Sequence, residues 1–127
     1  MARILVIEDS PTNMKLVRLL LEGSGHEVLG AEDAPTGIAL AQRENPDLIL
    51  IDIQLPGMDG LTATGLLRGD PATQKLKIVA LTALAMKGDE ERILAAGCDA
   101  YIAKPIHSTS FLARVHGLLE GEGPQGA

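Results

Sequence analysis

The stretch Leu48-Ile49-Leu50-Ile51-Asp52-Ile53-Gln54-Leu55-Pro56-Gly57-Met58-Asp59-Gly60 decides the fold. Four apolar residues in a row, without alternation, predict a strand covered on both faces, as in a parallel sheet between helix layers. The run ends in a carboxylate, and a Pro/Gly-rich turn follows at once. Three other apolar runs end in chemistry too. Ile4-Leu5-Val6-Ile7 leads to Glu8-Asp9, Ile78-Val79-Ala80-Leu81 to Thr82, and Tyr101-Ile102-Ala103 to Lys104-Pro105. In a parallel sheet these ends share one edge, where open α/β folds keep their sites. The sequence therefore predicts three acids, one hydroxyl and one amine in a single cluster.

Working outward, strand and helix patterns alternate five times, as βαβ units require. The predicted strands are 3–7, 27–31, 47–51, 77–81 and 99–102. Ser10 caps the first helix, with Pro11 in its first turn and Met14, Val17, Leu20 and Leu21 on one face. Gly23 and Gly25 end it. Asp33 caps a second helix that buries Ile38, Leu40 and Ala41 and stops at Asn45-Pro46. A third spans 60–68 and a fourth 87–96, with Gly97 as its stop. Ser108 is the expected cap of the last, whose stripe is Phe111, Leu112, Val115, Leu118 and Leu119. Residues 1–120 are expected to form one domain and 121–127 a flexible tail.

Composition narrows the function. The chain has 127 residues, 46% of them hydrophobic, enough for one sizeable core. Tyr101 and Phe111 are its only aromatics, so that core must be aliphatic. A net charge of −6 argues against nucleic acid as a partner, since phosphate contacts need clustered Lys and Arg. No apolar run approaches the roughly 20 residues of a membrane span. Cys98 stands alone, as suits a reducing compartment, and Met1-Ala2-Arg3-Ile4 leads straight into a strand without a signal peptide. The expected localisation is cytoplasmic.

Carboxylates gathered at one edge repel each other unless a divalent cation neutralises them, and oxygen-only ligands suit Mg²⁺. Asp9 and Asp52 are the expected direct ligands, with Glu8 acting through metal-bound water and the Gln54 backbone carbonyl as a third protein ligand. Asp52 can then act as a nucleophile that forms an aspartyl-phosphate. The metal and Lys104 would stabilise charge on the phosphoryl oxygens, and the Thr82 hydroxyl would detect the phosphate.

Glu8-Asp9, Asp52 through Gly60, Ala80-Leu81-Thr82-Ala83 and Lys104-Pro105, in this order and at these strand ends, resemble the receiver domain of two-component response regulators. The resemblance covers nearly the whole chain. It implies a doubly wound five-stranded parallel sheet in the order 2-1-3-4-5, flanked by five helices. It implies that Asp52 accepts a phosphoryl group from a histidine kinase or a histidine phosphotransfer protein. Thr82 then moves toward the phosphate and Tyr101 rotates inward. The face of the fourth helix, fifth strand and fifth helix changes its affinity for a downstream protein target. The Lys104–Pro105 bond is expected to be cis, with Pro105 setting the loop. Gln54 and Leu84, each two places after a site residue, are expected to tune the phosphoryl lifetime.

With no effector domain after the last helix, the reading is a single-domain regulator, a monomer or weak dimer, and not an enzyme beyond its own phosphorylation and dephosphorylation. The alternative is the receiver portion of a longer regulator or hybrid kinase. A phosphohydrolase ranks lower, because Gln54 cannot supply a second acid/base. A flavin carrier ranks lower still, because Glu8-Asp9 occupies the place of a phosphate loop. His26, His107 and His116 read as surface residues, Cys98 as a small buried hydrophobe, and Glu90-Glu91-Arg92 as a solvated helix face.

Overall fold

A computed structural model describes residues 2–83 and 87–121. Five strands alternate with five helices in chain order: β1 (Arg3–Ile7), α1 (Pro11–Gly23), β2 (Glu27–Ala31), α2 (Ala34–Glu44), β3 (Leu48–Asp52), α3 (Gly60–Gly69), β4 (Ile78–Thr82), α4 (Lys87–Ala95), β5 (Ala100–Ala103) and α5 (Ser108–Leu119). All pairings are parallel, in the order β2-β1-β3-β4-β5. Every residue of β3 and β4 is buried, as their unbroken apolar runs predict.

The two faces carry separate aliphatic layers. Leu5, Ile7, Ile49 and Ile51 meet Ala34, Ala41, Ala63 and Leu67 of α2 and α3, with Ile93 of α4. Ile4, Val6, Leu48 and Leu50 meet Val17 and Leu21 of α1 and Phe111, Val115 and Leu118 of α5. Ile38 and Leu40 are half-buried at the margin of the first layer, so only Ala41 of the expected trio lies fully inside.

Local signals behave as their chemistry demands. Ser10 Oγ accepts the N–H of Asn13, and Asp33 accepts that of Thr36. The last helix differs from expectation: its cap position is His107, whose side chain makes no capping bond, and Ser108 is already helical. β3, β4 and β5 each begin and end one residue later than the predicted spans 47–51, 77–81 and 99–102. The ladder explains the far end. Asp52 lies opposite Leu81, and the Ile53 N–H donates to the Leu81 carbonyl at 3.2 Å, so pairing continues past the last apolar residue. At the near end, Asp47 and Asp99 turn their side chains to neighbouring strands. Asp47 Oδ2 accepts the Arg3 N–H and Asp99 Oδ2 the Ile78 N–H, each at 2.8 Å.

Candidate functional site

The chain reverses its winding direction between β1 and β3, so the helices that leave these two strands diverge to opposite faces. A crevice at such a point is where open α/β sheets bind ligands. Glu8 and Asp9 follow β1 and Asp52 ends β3, one on each side of the crevice. A carboxylate oxygen from each of the three comes within 4.8 Å of the others. Glu8 and Asp52 are 1% and 6% exposed, whereas Asp9 opens to solvent.

Lys104 reaches this cluster from the end of β5, two strands away from β3. Its four-carbon stem spans the end of β4. Nζ donates to Asp52 Oδ2 at 2.9 Å and to Glu8 Oε1 at 3.0 Å. Burial would lower the Lys104 pKa, but the bonds to Asp52 and Glu8 outweigh it and the ammonium is held above its ordinary value. Glu8 moves up from the ordinary carboxylate range, chiefly because burial penalises its charge and because Asp52 lies beside it. The Ser10 N–H at 3.1 Å and Lys104 work against that rise. The Lys104–Pro105 bond is cis.

The loop after β3 fixes Asp52 from below. Asp52 Oδ1 accepts the Gln54 N–H at 2.9 Å, while Ile53 and Leu55 anchor the loop in the core. Gly60 then packs directly against the Asp52 backbone. A Cβ there would lie 2.3 Å from the Asp52 carbonyl oxygen, and the Gly60 N–H donates to the Ile53 carbonyl at 2.9 Å. Asp59 caps α3 through Thr62 at 2.7 Å. The sequence carries Gly60 in its turn motif, but only the close approach reveals why no side chain fits.

Thr82 ends β4, buried at 2% exposure, on the same edge. The structure thus brings Glu8, Asp9, Asp52 and Lys104 into one cluster, with Thr82 on the strand between those of Asp52 and Lys104. Tyr101 stands apart: it is half-buried, and its hydroxyl donates to Glu90 Oε1 on α4. Glu90 is therefore not simply a solvated helix residue, since it holds the aromatic next to it. Leu84 lies outside the described residues. Beside Lys104, a cleft of about 340 Å³ is lined by Asn13 and Leu16 of α1 and by Ala83, Pro105 and Ile106.

His26 also departs from expectation. It is buried at 9% exposure, with its Nε2 3.0 Å from that of the exposed His116. Arg68 carries no sequence signal at all. It donates to the carbonyls of Gly97, Gln74 and Leu76 and forms an ion pair with Asp99 at 2.8 Å.

The donor set fits Mg²⁺: it is all oxygen, and three carboxylates against one ammonium leave two negative charges, which one dication balances. The model of the response regulator receiver domain matches residues 4–116. The polar-differentiation response regulator DivK of Brucella ovis is 44% identical over 116 residues, covering 91% of this chain and 94% of that protein. A putative response regulator from Chloroflexus aurantiacus superposes with a TM-score of 0.88 at 30% identity, covering 94% of this chain and 98% of its own. The receiver domain of the sensor histidine kinase PA1611 from Pseudomonas aeruginosa, solved with a magnesium ion in its active-site cleft, gives 0.85 at 35% identity over 95% and 98% of the two chains. Sheet order, edge cluster and these relatives agree, and the chain belongs to the response regulator receiver domain family.

Proposed function

We propose that Asp52 accepts a phosphoryl group from the phosphohistidine of a histidine kinase or phosphotransfer protein, and that the modification changes binding of a downstream protein at the α4–β5–α5 face. The observation that carries this reading is the Lys104 Nζ bridge to Asp52 and Glu8 inside a three-carboxylate cluster. An Asp52 carboxylate oxygen attacks phosphorus and the P–N bond breaks. Its electron pair returns to the donor imidazole, which leaves neutral with its other nitrogen protonated. Lys104 then exchanges its carboxylate partners for phosphoryl oxygens, where positive charge stabilises the transition state. The Thr82 hydroxyl senses the same oxygens.

Asp9, Asp52, the Gln54 carbonyl and, through water, Glu8 would hold Mg²⁺, which supplies charge neutralisation at the phosphoryl oxygens. The relative with magnesium in its cleft supports this. The cleft between α1 and Pro105-Ile106 is the entry for the donor, because it opens beside Lys104 and offers Leu16 as an apolar contact. Tyr101, Gln54 and Leu84 modulate the switch. No helix among the described residues is long and apolar enough to cross a membrane, in keeping with a cytoplasmic partner of the kinase. Residues 1–120 form the signalling unit, with 121–127 as a tail. The chain covers 94% of the length of its DivK relative, which supports the single-domain reading. Such a regulator would act as a monomer or weak dimer.

The test is intact-mass analysis after incubation with acetyl phosphate, with and without Mg²⁺, for wild type and Asp52→Asn. We expect a labile gain of one phosphoryl group that needs both Mg²⁺ and Asp52. Equal gain in Asp52→Asn would move the acceptor elsewhere. Sustained turnover of a phosphomonoester would favour a phosphohydrolase instead.

A further inference from the structure

His26 sits in the turn between α1 and β2, at the edge of the sheet opposite the acid cluster. Its backbone is fixed: the N–H donates to the Leu21 carbonyl at 3.1 Å, and Gly25 before it takes a φ of +91° that favours glycine. Its ring bridges two segments distant in sequence. Nδ1 accepts the Ala2 backbone N–H at 3.0 Å, and Nε2 meets His116 Nε2 of α5 at 3.0 Å, with ring centroids 5.1 Å apart.

These contacts determine both tautomers. A backbone N–H can only donate, so His26 Nδ1 must present its lone pair and a neutral His26 carries its proton on Nε2. That proton points at His116 Nε2, which must therefore accept, leaving the His116 proton on Nδ1. The result is a directed relay: Ala2 N–H to His26, then His26 N–H to His116. The same reasoning argues against a metal between the two rings. A metal on His26 Nε2 would move the ring proton to Nδ1, against the Ala2 N–H.

We propose that this relay is a proton-operated latch, tying α5 to the α1–β2 turn and the first residues of the chain only while both imidazoles are neutral. A proton added to His26 goes to Nδ1 and breaks the bond from Ala2. A proton added to His116 goes to Nε2 and faces the His26 proton, breaking the second bond. Either way a single proton removes one of the two links. The surrounding charges favour the neutral state of His26. Burial comes first, then His116 from α5 and the terminal amine, and together they hold its pKa below the ordinary histidine value. Glu27 of β2, next in the chain, instead pairs with Arg3 at 3.4 Å, and Glu120, at the C-cap of α5, lies about one turn beyond His116. From α1 the contact is the uncharged Leu21 carbonyl. Because the His26 pKa is lowered, the stability that its neutral ring contributes is full above the ordinary histidine value, about pH 6.5, and is lost as the pH falls through the lower folded value. The inference stands apart from the phosphoryl chemistry, which occupies the other edge.

The test is long-range ¹H–¹⁵N NMR of the imidazole rings in the full chain, combined with amide exchange of the last turn of α5. At about pH 8, well above the ordinary histidine pKa, we expect His26 protonated on Nε2 and His116 on Nδ1. Between about pH 7.5 and 5.5, protection at Leu118 and Leu119, corrected for intrinsic exchange, should fall about fivefold, as loss of one net hydrogen bond implies. In His116→Ala that extra fall should vanish; the position is exposed, so the variant should fold. A proton on Nε2 of His116 at the higher pH would overturn the proposal in the wild-type protein alone. An undiminished fall in the variant would overturn it independently.

Discussion

Both edges of the sheet carry clustered charged side chains and use them in opposite ways. At the edge where strands begin, each acid faces a donor. Asp47 takes the Arg3 N–H, Asp99 takes the Ile78 N–H and the Arg68 guanidinium, and Arg3 pairs with Glu44 at 2.6 Å and with Glu27. At the edge where strands end, three carboxylates gather around one ammonium, which pairs with Glu8 and Asp52. The first arrangement closes the structure. The second leaves negative charge that only a ligand can balance, and it stands at the point where the sheet reverses direction. Electrostatic imbalance, rather than the presence of charge, separates the functional edge from the structural one.

Substitutions can break this comparison, and the largest effect is expected beneath the site. Gly60→Ala places a methyl group 2.3 Å from the Asp52 carbonyl oxygen and 2.9 Å from the Ile53 Cα, both backbone atoms that cannot swing aside. We expect a loss of about 3 kcal/mol in denaturant unfolding, at the upper end of overpacking costs, and impaired phosphorylation of Asp52. Unchanged stability and yield would show that the loop is not held as tightly as described.

Arg68→Ala tests the balanced edge. It removes the guanidinium from three carbonyls and leaves Asp99 with the Ile78 N–H alone, and a loss of about 2 kcal/mol is expected. Arg68→Lys should recover little, because one ammonium cannot reproduce the planar fork that reaches Gly97, Leu76 and Asp99 together. Full rescue by Lys would reduce the interaction to simple charge. A smaller effect, about 1 kcal/mol, is expected for Asp47→Ala, which uncaps the first N–H of β1. In each case phosphorylation at the far edge should persist in the folded fraction.

The apolar runs were legible because the sheet is buried on both faces, so its strands announce themselves without alternation. Their chemical endings were legible too: Glu8, Asp9, Asp52 and Lys104 meet because parallel strands deliver their C-terminal ends to one edge. What the sequence hid depends on neighbours far along the chain. His26 reads as a surface residue until α5 brings His116 beside it. Arg68 is an ordinary basic residue near the end of a helix until Gly97 and Leu76 arrive with bare carbonyls. Ser108 resembles a cap, yet His107 occupies that position because the chain enters the helix one residue sooner. Glu90 belongs to a charged run, and only the packing of α4 on β5 gives it the Tyr101 hydroxyl. Gly60 was visible as a turn residue, but its lack of a side chain matters because the Asp52 backbone passes so near.

The most direct measurement is the melting temperature with and without Mg²⁺ for wild type, Asp9→Asn and Asp47→Ala. If the strand-end edge holds uncompensated charge, Mg²⁺ at about 100 times its Kd should stabilise wild type and Asp47→Ala alike, by up to about 3 kcal/mol. Asp9→Asn should gain much less, and in metal-free buffer it should melt no lower than wild type, because a repelling carboxylate has gone. Asp47→Ala should melt lower than wild type under both conditions. An equal Mg²⁺ response in all three proteins, or a metal-free Asp9→Asn clearly less stable than wild type, would contradict the account.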